Sequence, residues 1–203
     1  MIKIIEAISN AENIGTKIFL AGGITNCPDW QSEFIEKINN INIEANLTIY
    51  NPRRKNFPIH DKNASIEQIK WEFEKLKISD IIIFWFSRGS LNPIVLYELG
   101  MWGNSRTIPI IVGIDNGYER KHDVIIQTTL ARPNIPIVES LDEIINIKHI
   151  CNIKINLNEE ILIKTQVNLE KLKKYHINNW FKTGPCNGGW AGSITYSAGI
   201  GGI

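Results

Sequence analysis

Two glutamates, Glu72 and Glu98, combine a reactive side chain with a placement that suits chemistry. Glu72 lies in a helical pattern that is followed by the apolar run Ile81 to Phe86, which is typical of a parallel strand buried on both faces. Glu98 lies in the second turn of the next predicted helix, which Asn92 caps and Pro93 opens. Both side chains are therefore expected near the carboxyl end of one strand, where open α/β sheets bind ligands.

A pair of carboxyl groups at that edge suits cleavage at an acetal-like carbon through an oxocarbenium-like transition state. One carboxylate attacks the anomeric carbon and forms a glycosyl ester, while the other group protonates the leaving group, and two inversions give net retention. On this hypothesis Glu98 stays ionised, and burial beside the apolar stripe of its helix holds Glu72 in the protonated form. The residues alone leave open that both glutamates are surface groups, or are ion-paired with Arg53 or Arg54.

The helix that carries Glu72 is predicted to begin with a capping box, in which Ser65 is followed by Gln68. The stripe that it is predicted to bury consists of Ile66, Ile69, Phe73 and Leu76. The polar loop before it, residues 55–64, contains His60 and Asp61 and is long enough to act as a lid over the site.

Strand-like and helix-like segments alternate from residue 17 to residue 147, which predicts right-handed crossovers. The predicted fold class is α/β: a doubly wound, flavodoxin-like, five-stranded parallel sheet flanked by helices, followed by a C-terminal helix and a glycine-rich tail. The strands are predicted at residues 17–21, 47–50, 81–86, 107–114 and 135–138. Other helices are predicted at residues 28–40 and 123–131, and from Ser140 to about residue 147. Residues 1–16 are expected to form an extra edge strand or an arm.

The chain is expected to divide into a domain of residues 1–150 and a C-terminal part of residues 151–203. In the second part, residues 158–180 have the apolar spacing of a long amphipathic helix that packs on the core or on a second subunit. The glycine-rich end is expected to be either an unstructured tail or a segment that orders against a partner.

Composition narrows the classes of partner and cofactor. A formal net charge of +1 gives no general attraction to polyanions, so nucleic acids and membrane surfaces are not expected as partners. Three widely separated cysteines and the lack of a signal-peptide layout indicate a cytoplasmic protein, and no stretch approaches the roughly 18 apolar residues of a membrane span. The histidines lack metal-ligand spacing, and dinucleotide, Walker and serine-elbow motifs are missing, so neither a metal nor a cofactor is expected.

A glycine turn follows the first predicted core strand, which carries Phe19. At Gly22, Gly23 and Ile24 the backbone can approach a ligand closely, although a plain strand-to-helix turn explains the same residues. Trp30, at the start of the next helix, either stacks on a base or anchors the helix.

Polar side chains follow the next two strands at the same edge of the sheet. Asn51 and Arg53 are placed to hold a polar ligand, unless they form a solvated basic turn. Ser87, Arg88 and Ser90 are placed to bind a 5′-phosphate near the start of the following helix, unless they form a polar loop.

Five sequence strings occur in order: "IFLAGGI", "NPRR", "QIKWEFEKLKISDIIIFWF", "NPIVLYELG" and "VGIDNGYERKHDVIIQTTLARP". Over roughly residues 17–147 the chain thereby resembles the nucleoside 2-deoxyribosyltransferase-like family. The resemblance implies that Glu98, in the "ELG" string, is the nucleophile on C1′ of 2-deoxyribose, and that Glu72 lies in the substrate pocket. Better-characterised members carry Asp at positions 72 and 92. Asn92 can hydrogen-bond a sugar hydroxyl but cannot act as an acid.

That family completes its pocket from a neighbouring subunit, which implies a homo-oligomer. Asn116, Tyr118, Asp123 and the C-terminal region are then expected to contact the substrate or the neighbouring subunit.

The implied function is transfer of 2-deoxyribose between nucleobases through a Glu98 ester, with a nucleoside or nucleotide as substrate. One alternative is hydrolysis of the N-glycosidic bond of a (deoxy)nucleotide, as in related folds. Another is a non-catalytic nucleotide-sensing or regulatory protein that acts through its C-terminal tail.

Overall fold

The structure is a computed structural model that describes residues 1–41, 43, 45–58, 60–104 and 107–147. The predicted helix at residues 158–180 and the glycine-rich tail lie outside these residues. The division of the chain at residue 150 therefore stays a prediction.

The described residues form one sheet of six parallel strands in the order β1-β3-β2-β4-β5-β6. The strands are β1 Ile2–Glu6, β2 Thr16–Gly22, β3 Leu47–Asn51, β4 Ile81–Phe86, β5 Ile110–Ile114 and β6 Ile137–Val138. The predicted doubly wound, flavodoxin-like sheet is confirmed. The predicted number of five strands is one too low, because β1 pairs with β3 and forms the edge.

Five helices cover the two faces of the sheet: α1 Trp30–Asn39, α2 Lys62–Ile78, α3 Pro93–Gly103, α4 Lys121–Ala131 and α5 Leu141–Asn146. Helices α1 and α5 bury their apolar residues on one face, and α2, α3 and α4 bury theirs on the other. The chain leaves β2 through α1 to reach β3, and it returns through α2 to β4 on the other side of β2. The direction of winding therefore reverses between β2 and β4, where this class of fold binds ligands. No helix among the described residues is long and apolar enough to cross a membrane.

Helix α2 begins earlier than predicted. The carboxylate of Asp61 accepts a hydrogen bond from the backbone nitrogen of Asn63 and caps a helix that starts at Lys62. The predicted capping box of Ser65 and Gln68 is therefore wrong. The predicted lid loop is also shorter, because its last residues belong to the cap and the first turn.

The predicted buried stripe of α2 is wrong in its orientation. Ile66, Ile69 and Phe73 are 51%, 64% and 50% exposed, and of the four predicted residues only Leu76 is buried. The buried side also includes Ala64, Gln68, Trp71 and Lys75. The Trp71 indole decides the orientation, since its ring packs against Phe19 and Tyr50 while Nε1 donates to the Ser9 carbonyl at 2.8 Å.

Helices α2 and α3 both carry exposed apolar residues, and they contact each other through Phe73. The ring of Phe73 contacts that of Trp102 on α3, with centroids 6.1 Å apart. Ile94, Tyr97 and Met101 lie on one side of α3 and are 65%, 70% and 41% exposed. We call the surface formed by Ile66, Ile69, Phe73, Ile94, Tyr97 and Met101 the α2–α3 apolar face.

Candidate active site

A cavity of about 400 Å³ opens at the reversal point, between the carboxyl end of β2 and the start of α3. Glu72 from α2 and Glu98 from α3, which are 26 positions apart in sequence, both line it. The other lining residues are Phe19, Ala21, Gly22, Gly23, Ile24, Thr25, Asn26, Pro52, Ser90, Asn92, Pro93, Ile94 and Val95. The sequence-based expectation that the two glutamates share one cavity matches this geometry.

The ionisation of the pair differs from the prediction. Burial, and secondly the charge of Glu72, raise the pKa of Glu98 to about 8. Burial also raises the pKa of Glu72, but a hydrogen bond from Gln68 acts in the opposite direction. Near neutral pH the Glu98 carboxyl is therefore protonated, whereas the sequence analysis expected it to stay ionised. The expected effect of burial on Glu72, a raised pKa, agrees with the structure. The pair holds one proton because two adjacent buried carboxylates cannot both ionise cheaply.

Gln68 is the residue at this site that the sequence analysis missed. Its Nε2 donates to Glu72 Oε1 at 2.6 Å and to the Pro52 carbonyl at 2.7 Å. The signal in the sequence was the spacing of four between Gln68 and Glu72, which places the two side chains next to each other on one helix. The capping-box interpretation assigned Gln68 to the helix start instead.

The glycine turn after β2 forms one wall of the cavity. A Cβ atom on Gly23 would lie 1.8 Å from Asn92 Oδ1, so only glycine fits there without movement. Trp30 is 2% exposed, and its Nε1 donates to the Gly23 carbonyl at 3.2 Å. Of the two interpretations of Trp30, the helix anchor is the one that the structure shows. Gly22, Ile24 and Phe19 line the cavity as well.

Asn51 and Arg53 do not line the cavity. The Arg53 guanidinium lies 3.1 Å from the Asp29 carboxylate and donates to Gln31 Oε1 at 2.9 Å. Asn51 Oδ1 accepts the backbone N–H of Arg53 at 3.0 Å. The ion pairs of the described residues include none between either arginine, Arg53 or Arg54, and the two glutamates. Substrate contacts by Asn51 and Arg53 stay predictions that this arrangement does not support directly.

The loop between β4 and α3 brings Ser90 and Asn92 to the cavity, while Ser87 is fully buried and does not line it. Asn92 occupies the N-cap position with Pro93 after it, as predicted, but its side chain makes no capping hydrogen bond. Its Nδ2 donates to the carbonyls of Ser87 and Ser90 at 2.9 Å each, and its Oδ1 accepts from Cys27 Sγ at 3.3 Å. The amide of Asn92 is thus engaged with the protein on both sides.

Three predicted cross-subunit residues lie away from this cavity. Asn116 Oδ1 accepts from Lys121 Nζ at 2.6 Å, and the Tyr118 hydroxyl donates to the Leu91 carbonyl at 2.9 Å. Asp123 pairs with Arg120 at 2.6 Å on a second cavity of about 410 Å³ between α3 and α4. Their contacts with a substrate or a second subunit stay predictions.

Within the described part of the chain, no group of three or more His, Cys, Asp or Glu side chains is arranged to hold a metal ion. The titratable side chains that line the cavity are the carboxyl groups of Glu72 and Glu98. Such a pair can supply a nucleophile and a general acid to one substrate.

Comparisons with known proteins give a family match. The model of the family described as "Nucleoside 2-deoxyribosyltransferase like" matches residues 15–118, just over half of the 203 residues and including both glutamates. No curated protein matches the chain. The crystal structure of a conserved protein from Enterococcus faecalis V583 is similar at 17% identity with a TM-score of 0.47, covering 64% of this chain and 94% of that one. From the family match, the chain belongs to the nucleoside 2-deoxyribosyltransferase-like family.

Proposed function

We propose that this protein cleaves the N-glycosidic bond of a 2-deoxynucleoside, holds the sugar as an ester of Glu98 and transfers it to a second base. The observation that carries the proposal is the meeting of Glu72 and Glu98, from separate helices, in one cavity at the reversal point of the sheet. Family membership supports the same class of reaction.

The reaction follows from the shared proton. When substrate binds, the proton of Glu98 passes to Glu72, and the freed Glu98 oxygen attacks C1′. The C1′–N bond breaks, and Glu72 gives its proton to the departing base nitrogen. The products are a glutamyl-sugar ester, a neutral free base and an ionised Glu72.

The second half of the reaction is the reverse with a different base. Its nitrogen attacks C1′ from the face that the first base left, and Glu72 takes the proton that this nitrogen loses. Glu98 departs as a carboxylate, and the proton returns from Glu72 to Glu98. The anomeric configuration is retained after two inversions, and no other reagent is consumed.

Hydrolysis of a nucleotide is the second candidate, because the neutral amide of Asn92 stands at the amino end of α3. Ser90 and Thr25 line the same cavity, and an amide or hydroxyl group can hydrogen-bond a 5′-phosphate at a helix start. Of the residues predicted to hold phosphate, Ser87 is buried and Arg88 is exposed, with its Nε 3.9 Å from the Asp115 carboxylate. Water then replaces the acceptor base in the second step.

A second copy of the chain is the proposed partner of the α2–α3 apolar face. Glu98 is the only charged residue of α3, and a helix that is apolar nearly all round is expected to be covered. Ile94 belongs both to this face and to the cavity lining, so a second copy that covers the face would border the mouth of the cavity.

The test is mass spectrometry of the intact protein mixed with deoxynucleosides and their monophosphates. We expect a covalent pentosyl adduct on Glu98 and base exchange that depends on an added acceptor base. Glu98→Ala should lose the adduct and turnover while still binding substrate, because the lost interaction belongs to the transition state.

Each other outcome identifies a different function. Release of base at a rate independent of acceptor would replace transfer by hydrolysis. A wild-type protein that binds nucleotides, forms no adduct and cleaves nothing would leave the sensor alternative.

A further inference from the structure

The Gln68 side chain links Glu72, which lines the cavity, to Pro52, which follows β3. The side chain is 9% exposed, and Nε2 donates one hydrogen bond to the Pro52 carbonyl and the other to Glu72 Oε1. Both bonds are short, at 2.7 Å and 2.6 Å. Glu72 is thereby fixed by a bridge to the sheet as well as by its own helix.

The orientation of this amide is determined by its partners. The Pro52 carbonyl oxygen can only accept, so the side of the amide that faces it must be the nitrogen. The same nitrogen is then the atom that meets Glu72, and Glu72 Oε1 must act as an acceptor. A donated hydrogen bond stabilises a carboxylate more than a carboxylic acid.

The amide oxygen of Gln68 points to a role other than packing. Oε1 is buried and has no hydrogen-bond partner among the described residues. A buried carbonyl without a partner costs free energy that an apolar side chain at the same position would not. Residues that cost stability in this way are characteristic of functional sites.

Among the groups around Glu72, Gln68 stabilises the ionised carboxylate by a hydrogen bond. Glu98, from α3, raises rather than relieves the cost of a charge on the pair. The ion pairs of the described residues include none with Glu72. Arg53 is paired with Asp29, and Lys75 lies over the rings of Tyr50 and Trp71. Arg54 lies over the Phe57 ring, and its Nη1 is buried without a hydrogen-bond partner among the described residues.

We propose that Gln68 is a positioning residue which holds Glu72 ionised in the resting enzyme and so places the shared proton on Glu98. Because Gln68 occupies Oε1, the other oxygen of Glu72 receives the proton and delivers it to the base. Gln68 itself touches neither the reacting atoms nor the cavity. The inference rests on the proposed function, which supplies the role of the proton.

The test is an NMR titration of ¹³C-labelled glutamate side chains, which reports on the pair whether or not the protein turns over a substrate. Glu72→Gln and Glu98→Gln assign the two signals. In Gln68→Met, which keeps the length and loses both donors, the pKa of Glu72 should rise by about one pH unit, the lower end of what a hydrogen bond to a charged group contributes. Glu67→Met, at an exposed position of the same helix, is the matched control and should leave both signals unchanged.

The pH dependence of the enzymatic activity is a second, independent measurement of the same effect. The acid limb of the kcat/KM profile should move to higher pH in Gln68→Met by the same amount as the titration. A folded Gln68→Met with an unchanged Glu72 titration would overturn the proposal, even if its melting temperature fell. Suppose that the Glu72 titration shifts in Gln68→Met but the wild type forms no sugar adduct. That result would support the role of Gln68 and reject the proposed function. Should Gln68→Met not fold, Gln68→Leu, which also lacks a donor and adds no charge, takes its place in the comparison.

Discussion

Replacing Glu98 by glutamine should change how the stability of the protein depends on pH. The carboxyl of Glu98 has its pKa raised from 4.5 to about 8 by burial and by the charge of Glu72. Between these two values the folded protein keeps a proton that the unfolded chain releases. Stability that is fully present below about pH 4.5 is therefore lost as the pH rises through about 8.

The size of the loss follows from the rise of about 3.5 pH units. At about 1.4 kcal/mol for each pH unit, ionising Glu98 in the folded state costs at most about 5 kcal/mol. This is a large share of the roughly 5–15 kcal/mol by which domains are usually stable. Glu98→Gln removes the ionisation and keeps the shape, so its stability should fall much less between about pH 5 and about pH 9.

Urea unfolding followed by tryptophan fluorescence at about pH 5, 7 and 9 measures this difference. Glu74→Gln is the matched control, since it makes the same change of charge at an exposed position of α2. We expect the free energy of unfolding of the control to depend on pH as that of the wild type does. Above about pH 8 the free energy of unfolding of Glu98→Gln should exceed both. Parallel curves for wild type and Glu98→Gln would refute the description of Glu98 as a buried acid.

The remaining predictions concern the wall of the cavity and the proposed interface. Gly23→Ala should lower the free energy of unfolding by about 3 kcal/mol and weaken substrate binding, since its methyl group would meet Asn92. Gly100→Ala is the control in thermal unfolding, because no atom lies within 4 Å of the added carbon, and it should stabilise α3 by about 1 kcal/mol. Tyr97→Glu, on the α2–α3 apolar face, should reduce the mass measured by light scattering, whereas Ile41→Glu, 42% exposed after α1, should not. A monomeric wild type would contradict the interface.

Much of the fold could be predicted because its signals are local. The run Ile81 to Phe86 is apolar throughout, and all six of its residues are buried in β4. Ser140 caps α5 by accepting from the backbone nitrogen of Glu143, as its residue type indicated. The alternation of such segments fixes the handedness of the crossovers, and with it the edge of the sheet at which the ligand cavity opens.

Features that depend on distant partners were predicted less well. Helix α2 has apolar residues on more than one side, and the periodicity of its sequence pointed to the side that faces outward. The orientation of α2 is set by Trp71, which packs against Phe19 and Tyr50 from two different strands. The edge strand β1 likewise depends on its pairing with β3.

The sequence by itself predicted that two glutamates would share one cavity. Glu98 follows the end of β4 and the start of α3 at a known offset, and the family resemblance placed Glu72 in the pocket. Only the tertiary structure decided which glutamate keeps the proton. The pKa of a buried acid depends on how deeply it is buried and on which groups reach it, and Gln68 reaches Glu72 but not Glu98. Both the burial of the two glutamates and their hydrogen-bond partners depend on how α2 and α3 pack on the sheet. A local sequence pattern does not predict this packing.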